Sequence, residues 1–352
     1  MSGATDAQRF LREMQRLAER ALERWALDVI RIEVLKVREN AVFRLDLAGG
    51  RRAVLRIHRH GYHSNAALES EFTWLRALDG AGIRVPRVIG SRCGRDFELV
   101  PTDSGPDAEA AETLCARDSR QIDVFEWIEG SQLGSVEQGI AGGAGSIADQ
   151  YAQIGVIAAR LHNHGQRWPP PPGFHRHAWD TAGLVGEQPL WGRFWELEAL
   201  RPEERRVLER SRSAITTDLE AYGRGADRYG LIHADLVPEN LLVDGGRLCV
   251  IDFDDAGFGW HLFELATSLY FITDQDAFHT AREALIGGYR SERALADAAL
   301  TRLSLFLAAR GTTYLGWVHT REASETAQEM TPFLIERACG FAEAYMSGRR
   351  SF

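Results

Sequence analysis

Four polar side chains within residues 231–259 have the types and the spacing needed for phosphoryl-transfer chemistry. His233 and Asp235 follow one apolar run, Asn240 comes five positions after Asp235, and Asp252 follows a later apolar run. Phosphoryl transfer needs a carboxylate that receives the proton of an attacking hydroxyl, and oxygen ligands that hold Mg²⁺ against a triphosphate. The H-x-D-x-x-x-x-N spacing predicts that the base and an amide ligand share one loop.

The elements that present these groups are short strands and turns. Asp244-Gly245-Gly246 separates apolar residues 241–243 from 248–251, which predicts a β-hairpin that delivers Asp252 at its far end. A surface hairpin with capping Asp and Asn residues is the alternative. We favour the catalytic interpretation because the base, the amide, the hairpin and the second aspartate occur in this order.

At these residues the sequence resembles the aminoglycoside phosphotransferase/choline kinase family, whose catalytic loop reads H-G-D-x-x-x-x-N and whose metal strand reads I-D-x-x-D. The resemblance covers nearly the whole chain. Within the family, the sequence is similar to the homoserine-kinase-like and stress-response-kinase branch. It implies an α+β, two-lobed protein-kinase-like fold, with a β-rich N-terminal lobe and a mainly helical C-terminal lobe.

The resemblance also implies roles for individual residues. Asp235 would be the catalytic base, His233 would brace its loop, and Asn240 and Asp252 would bind Mg²⁺. Glu264 stands in a Glu-Leu-Ala sequence where the family has Asp-Leu-Ala, and it would order the catalytic loop through hydrogen bonds.

In the N-terminal part, Arg56 stands at the third-strand position where the family usually has a lysine that contacts the α- and β-phosphates of ATP. Lys36 is the only lysine of the chain and lies one strand too early for this role. Glu71, on the next predicted helix, would pair with Arg56. Glu69 is the adjacent candidate; the two point about 200° apart on a helix, so only one can face the same side as Arg56.

Residues 125–130 resemble the segment that connects the two lobes of such a kinase. There the backbone of Glu126, Trp127 and Ile128 would bind the adenine edge of ATP. No G-x-G-x-x-G sequence covers the phosphates, because the corresponding turn, residues 37–41, contains no glycine.

Hydrophobic periodicity predicts a β-rich region followed by a helical one, divided into residues 1–130 and 131–352. The first is expected to bind the nucleotide and to carry an extra N-terminal helix. Residues 102–120 are interpreted as a mobile insertion and the Gly-rich residues 134–146 as a flexible link. Helices are expected at 6–27, 64–79, 151–164 and 203–222 and over most of 260–348, and strands at 34–38, 41–47, 52–58, 87–91, 96–100 and 122–128.

Composition narrows the class of protein. The hydrophobic fraction of 45% and the charged fraction of 26% are ordinary for a soluble globular protein, and the net charge of −9 argues against nucleic-acid binding. We see no run of membrane-spanning length and no signal peptide. The four cysteines form no C-x-x-C pair, which favours reduced thiols in a cytoplasmic protein.

The leading hypothesis is an ATP- and Mg²⁺-dependent phosphotransferase acting on a hydroxyl of a small molecule, such as an amino alcohol or a homoserine-like compound. Asp254 or Asp255 could attract a cationic head group. Arg310, Tyr314 and Trp317 stand at helical spacing and either line the acceptor pocket or form a core stripe. A serine/threonine protein kinase of the bacterial stress-response type and a non-catalytic nucleotide-binding protein are the alternatives.

Overall fold

A computed structural model of the chain describes residues 2–37, 40–102, 119–135, 139–140, 144–322 and 324–348. The chain divides into two compact units, Met1–Glu129 with Pro172–His175, and Gly130–Pro171 with Arg176–Phe352. The predicted mobile insertion at residues 102–120 lies almost entirely outside the described residues.

The first unit is built on an antiparallel sheet with the strand order β1-β2-β3-β5-β4. Its elements in chain order are α1 (Ser2–Leu22), β1 (Val29–Val37), β2 (Ala41–Leu47), β3 (Arg52–Ile57), α2 (Asn65–Gly80), β4 (Phe97–Pro101) and β5 (Ser119–Glu126). Strand β2 buries every second residue because successive side chains of a strand point to opposite faces. These side chains pack into one core with Met14 and Leu17 of α1.

Local signals fix the ends of α2 but not the strand predicted at 87–91. Ser64 caps α2, as its Oγ accepts the Ala67 N–H at 3.2 Å. Residues 87–91 meet β5 only through an isolated bridge at Val88 and scattered backbone hydrogen bonds, so this prediction was wrong. Pro86 directly before them has no N–H with which to begin a ladder.

The second unit is mainly helical, so the predicted α+β fold class, with a β-rich N-terminal part and a mainly helical C-terminal part, is confirmed. Its strands are β6 (Ser131–Gln132), β7 (Gly134–Ser135), β8 (Gly139–Ile140), β9 (Ala178–Trp179), β10 (Tyr229–Ile232), β11 (Leu241–Asp244), β12 (Arg247–Val250) and β13 (Gly257–Trp260). Its helices are α3 (Ala144–Arg167), α4 (Thr181–Val185), α5 (Pro202–Tyr222), α6 (His261–Leu269), α7 (Phe278–Glu292), α8 (Asp297–Leu300), α9 (Leu303–His319) and α10 (Glu325–Met346).

Two predictions about this unit have different outcomes. The hairpin is confirmed: β11 pairs with β12, and Gly245 and Gly246 adopt positive φ of 56° and 77°, which a tight two-residue turn requires. The Gly-rich residues 134–146 are only partly a link, because β7 and β8 pair with each other and α3 already begins at Ala144. Among the described residues, no helix has the length and apolarity to cross a membrane.

Candidate active site

The loop after β10 carries His233, Asp235 and Asn240. Strand β10 pairs with β13, and its last residues are buried, which fixes the point where the loop begins. A single 3₁₀ turn, Pro238–Asn240, ends the loop and leads directly into β11. The side chains of His233 and Asn240 are buried, whereas that of Asp235 is 22% exposed.

This loop is joined to the end of the hairpin through Ile251. The Ile251 N–H donates to the Asn240 carbonyl at 2.9 Å, and His233 Nε2 lies 3.0 Å from the Ile251 carbonyl oxygen. Asp252, the next residue, is exposed and has a φ of 64°, a left-handed conformation that is costly for a residue other than glycine. The second unit therefore brings His233, Asp235, Asn240 and Asp252 to one loop cluster.

The Asp235 carboxylate is held on both of its oxygens. Asn240 Nδ2 donates to Oδ2 of Asp235 at 2.9 Å and to its backbone carbonyl at 2.9 Å. Arg310 Nη2 donates to Oδ1 at 2.6 Å. Sequence reasoning singled out Arg310 only as a pocket or core residue and missed this contact, because α9 lies far from the loop along the chain.

Burial raises the pKa of Asp235 to about 7. The positive charge of Arg310 opposes this rise, while the negative charges of Asp255 and Glu239 add to it. The carboxylate is therefore a stronger base than an exposed aspartate, as a proton acceptor working near neutral pH should be.

Glu264, near the start of α6, makes the hydrogen bonds that the sequence predicted for it. Its Oε1 accepts the His233 N–H at 2.8 Å and its Oε2 accepts the Ala234 N–H at 2.7 Å. Burial raises the pKa of this carboxyl group, and the nearby His233 and the two backbone N–H groups oppose the rise. Ala234, which lies between His233 and Asp235 in the sequence, has a φ of 67°. The Glu264 carboxylate thus holds the strained catalytic loop through the backbone N–H groups of the loop.

The oxygen donors of this cluster suit Mg²⁺. The side-chain amide nitrogen of Asn240 makes both of its hydrogen bonds to Asp235, so the side-chain carbonyl oxygen of Asn240 points away from Asp235. Asp252 is exposed and directly follows Ile251, whose N–H is hydrogen-bonded to the Asn240 carbonyl. Carboxylate and amide oxygens with room for water are the ligands that Mg²⁺ prefers.

Arg176 supports the segment that follows Asp252. Its guanidinium donates to the carbonyl oxygens of Phe253 at 3.0 Å, Asp254 at 2.6 Å and Ala256 at 2.6 Å. Sequence reasoning missed this residue, since nothing in the sequence around position 176 indicates a contact with residues 253–256.

In the first unit, Arg56 is buried between two carboxylates. Its Nη2 lies 2.8 Å from Glu71 Oε1 and 2.8 Å from Asp123 Oδ2. Glu69 is exposed, so the geometry selects Glu71 as the ion-pair partner. Sequence reasoning missed Asp123, although a carboxylate inside the apolar run Ile122-Asp123-Val124-Phe125 was a usable signal.

Asp123 is the centre of this buried cluster. His58 Nε2 lies 2.6 Å from its Oδ2. Burial by itself would raise the pKa of Asp123, but the charges of Arg56 and His58 outweigh it and hold the pKa below its ordinary value. Asp123 is therefore an ionised, fully buried group that fixes the Arg56 guanidinium.

The segment expected to bind adenine begins where β5 ends. The Glu126 N–H already donates to the Arg87 carbonyl at 2.8 Å. The predicted hydrogen bonds to adenine would therefore be made by the other backbone groups of residues 126–128. Trp127 and Ile128 are half-buried, and the guanidinium of Arg52 stacks 4.9 Å from the Trp127 ring centroid. Arg52 also forms an ion pair with Glu129. The segment is therefore held by the Arg87 carbonyl at Glu126 and by Arg52 at Trp127 and Glu129.

Arg310 and Tyr314 belong to the core, which resolves the two interpretations of this helical stripe. The Arg310 side chain is fully buried, and its guanidinium carbon lies 4.3 Å from the Tyr314 ring centroid and 4.7 Å from that of Trp191. Trp317 is only half-buried. Trp191 also donates from Nε1 to Asp255 Oδ1 at 3.1 Å, which orients one of the two aspartates predicted to attract a cation.

Comparison with known proteins shows the family of the chain. Residues 31–300 match the model of the APH phosphotransferase enzyme family. Among curated proteins, the amicoumacin kinase of Bacillus subtilis (strain 168) is 26% identical over 324 residues, which cover 89% of this chain and 87% of that protein.

Two solved structures share the fold over nearly the whole chain. A microcompartment-associated aminopropanol kinase has a TM-score of 0.80 and 32% sequence identity, and the match covers 96% of this chain and 99% of that one. An amicoumacin kinase in complex with AMP-PNP, Ca²⁺ and Ami has a TM-score of 0.72 at 21% identity, covering 93% of each chain. The predicted protein-kinase-like fold is confirmed, and the chain belongs to the APH phosphotransferase enzyme family.

Proposed function

We propose that this chain is an ATP- and Mg²⁺-dependent phosphotransferase that moves the γ-phosphate to a hydroxyl of a small amino alcohol or a homoserine-like compound. One observation carries the proposal. The Asp235 carboxylate is held on both oxygens within a loop that is hydrogen-bonded to the end of the β11–β12 hairpin, directly before Asp252.

In the proposed reaction, Asp235 orients the acceptor hydroxyl and takes its proton. The acceptor oxygen then forms a bond to the γ-phosphorus, the bond to the β-phosphate oxygen breaks, and ADP leaves. Asn240 and Asp252 would hold Mg²⁺, which when bound neutralises the charge of the triphosphate. Because the transition state of phosphoryl transfer is loose, positioning and charge neutralisation supply most of the acceleration.

The first unit would bind the nucleotide, as proposed for residues 1–130, and residues 131–352 would carry the catalytic loop and the acceptor site. Arg56 would contact the α- and β-phosphates, and Glu71 would hold its guanidinium in place. Support comes from the 2.8 Å contact between Arg56 and Glu71, which matches the cation–carboxylate pair of kinases. The backbone of Glu126, Trp127 and Ile128 would bind adenine.

The acceptor class rests on charge and on the relatives. The solved kinase that is 32% identical acts on aminopropanol by its name, and amicoumacin kinase acts on amicoumacin. Asp255, whose Oδ1 accepts a hydrogen bond from Trp191, would attract the ammonium group of such an acceptor. We also propose that the protein works in the cytoplasm, where ATP is available.

The direct test measures ATP consumption with aminopropanol, choline, homoserine, an aminoglycoside and a generic protein as acceptors. We expect turnover with an amino alcohol or homoserine only when Mg²⁺ is present. Phosphorylation of the protein acceptor alone would support a protein kinase. Stabilisation by ATP and Mg²⁺ without transfer to any acceptor would support a non-catalytic nucleotide-binding protein.

Replacement of the proposed base gives the sharpest prediction. Asp235→Asn should lower kcat by about 10²–10⁴-fold, since the amide cannot receive the hydroxyl proton. Binding of ATP, measured by calorimetry, should persist. The matched control is Asp297→Asn at an exposed position of α8, which should keep wild-type kcat. Undiminished turnover in Asp235→Asn would contradict the assignment.

A further inference from the structure

Arg310 is a buried cation in the middle of α9. Its side chain is fully buried among Trp191, Phe263 and Tyr314, whose ring centroids lie 4.7, 5.5 and 4.3 Å from its guanidinium carbon. Most of the other residues of α9 are apolar or small. Burying a charge costs several kcal/mol unless polar partners compensate for the lost water. We therefore expect a buried arginine at this position to have polar or charged hydrogen-bond partners.

The partners of Arg310 belong to the catalytic loop. Its Nη2 donates to Asp235 Oδ1 at 2.6 Å, and its Nη1 donates to the Ala234 carbonyl at 3.1 Å. Tyr314, one turn further along α9, accepts from the same Nη2 at 2.8 Å. The planar guanidinium can hold both loop groups at fixed angles, which an ammonium group cannot do.

Asn240 makes the second side-chain hydrogen bond to the Asp235 carboxylate, since its Nδ2 donates to Oδ2. A carboxylate held at one oxygen still rotates about its Cβ–Cγ bond, whereas one held at both is fixed in a single orientation. Each oxygen keeps a lone pair for a further hydrogen bond. Arg310 therefore decides the direction in which Asp235 can meet an acceptor hydroxyl.

We propose that Arg310 is a positioning residue for phosphoryl transfer, whose guanidinium fixes the Asp235 carboxylate in the orientation that receives the acceptor proton. This inference rests on the proposed function of Asp235. Arg310 is fully buried, so it acts through Asp235 and the Ala234 carbonyl and makes no contact with solvent.

The test compares Arg310→Met with a matched control, Arg337→Met. The Arg337 side chain is 8% exposed, stacks on Tyr270 and Phe333, donates to the carbonyl of Tyr270 and pairs with Asp274. It is therefore a largely covered, ion-paired arginine of the second unit that holds a carboxylate other than Asp235. The assay measures kcat and both KM values with ATP, Mg²⁺ and aminopropanol, together with the melting temperature.

Arg310→Met should lower kcat about 100-fold, since a misplaced catalytic group costs about this much. The KM for ATP should stay within about twofold of the wild type, and Arg337→Met should keep wild-type kcat even where its melting temperature falls. Added guanidinium at low millimolar concentration should restore part of the activity of Arg310→Ala. Wild-type kcat in a folded Arg310→Met variant would overturn the proposal.

Arg310→Lys keeps the test decisive if the methionine variant does not fold. The lysine keeps the charge but cannot hold the Ala234 carbonyl and Asp235 together, so kcat should fall about tenfold at unchanged KM for ATP. Wild-type kcat in Arg310→Lys would also overturn the proposal.

A double variant separates this inference from the proposed function. If Arg310 acts through Asp235, adding Arg310→Met to Asp235→Asn should lower kcat by less than about threefold more, because residues that act as a unit are not additive. A full further 100-fold loss would contradict the inference. Unchanged activity in Asp235→Asn alone would instead overturn the proposed function.

Discussion

At the scale of single residues, the buried arginines Arg310 and Arg56 each form ion pairs with carboxylates that the proposed function involves or that lie beside them. Arg310 bonds Asp235 in the second unit, and Arg56 lies between Glu71 and Asp123 in the first. In each case the guanidinium contacts more than one acceptor. A buried ion pair of this kind adds little net stability, but the removal of one partner leaves a buried charge without compensation.

Removal of Arg56 should therefore destabilise the protein. Arg56→Ala leaves the buried carboxylates of Glu71 and Asp123 without their shared cation, and the free energy of unfolding should fall by about 3–5 kcal/mol. Urea unfolding at neutral pH measures this. Lys36→Ala on β1 is the control, because it also removes a cation from the same sheet. It should lower the free energy of unfolding by less than about 1 kcal/mol. An equal loss in both variants would contradict the structural role of Arg56.

At the scale of elements, a helix end shapes the catalytic loop. Glu264 of α6 accepts the N–H groups of His233 and Ala234, and this pins Ala234 at a φ of 67°. The left-handed conformation costs a residue with a Cβ about 1 kcal/mol, and glycine avoids this cost. The H-G-D family motif that this segment resembles has glycine at this position, which fits the conformation.

Glycine should be tolerated at position 234. In Ala234→Gly, relief of the left-handed strain offsets much of the larger entropy of the unfolded chain and of the loss of one buried methyl, so the free energy of unfolding should change by less than about 1 kcal/mol. The matched control Ala158→Gly removes a buried methyl from the middle of helix α3 and should cost about 1 kcal/mol or more. Denaturant unfolding compares the two, and a larger loss in Ala234→Gly than in Ala158→Gly would show that the backbone there is unstrained.

At the scale of the whole molecule, two buried histidines should make stability depend on pH. His162 of α3 stacks on His261 of α6 with ring centroids 4.2 Å apart, and His162 Nδ1 lies 2.8 Å from the Tyr289 hydroxyl of α7. Burial holds the pKa of both histidines well below the usual value. Both are therefore neutral in the folded protein at neutral pH.

The sign of the pH effect follows from proton binding. Below about pH 6.5 the unfolded chain protonates these histidines and the folded protein does not, so the contribution of the two histidines to the free energy of unfolding falls as the pH falls. Between about pH 7.5 and pH 5.5, each histidine should cost about 1.4 kcal/mol of unfolding free energy. His162→Phe should reduce the pH dependence by this amount, whatever its effect on absolute stability.

Urea unfolding at both pH values measures this difference. The control His279→Gln, at an exposed position of α7, should keep the pH dependence of the wild type. The same dependence in His162→Phe as in the wild type would contradict the assignment of the buried pair.

The sequence by itself determined the fold class, the family and the elements with strong local signals. The Gly245-Gly246 turn and the Ser64 cap of α2 depend on residues only a few positions apart, and the order of His233, Asp235, Asn240 and Asp252 is a pattern within one short segment of the chain. Turn geometry, capping and the spacing of apolar residues act over such short distances, so they can be read without the tertiary structure.

Only the tertiary structure decided which distant side chains meet. Arg310 bonds Asp235 across 75 positions, and Arg56 meets Asp123 across 67 positions. Glu71 rather than Glu69 faces Arg56, because the rotation of α2 on the sheet buries one and exposes the other. The physical reason is that buried charges need partners, and the packing of helices and strands, which no local pattern encodes, determines which partners lie within reach.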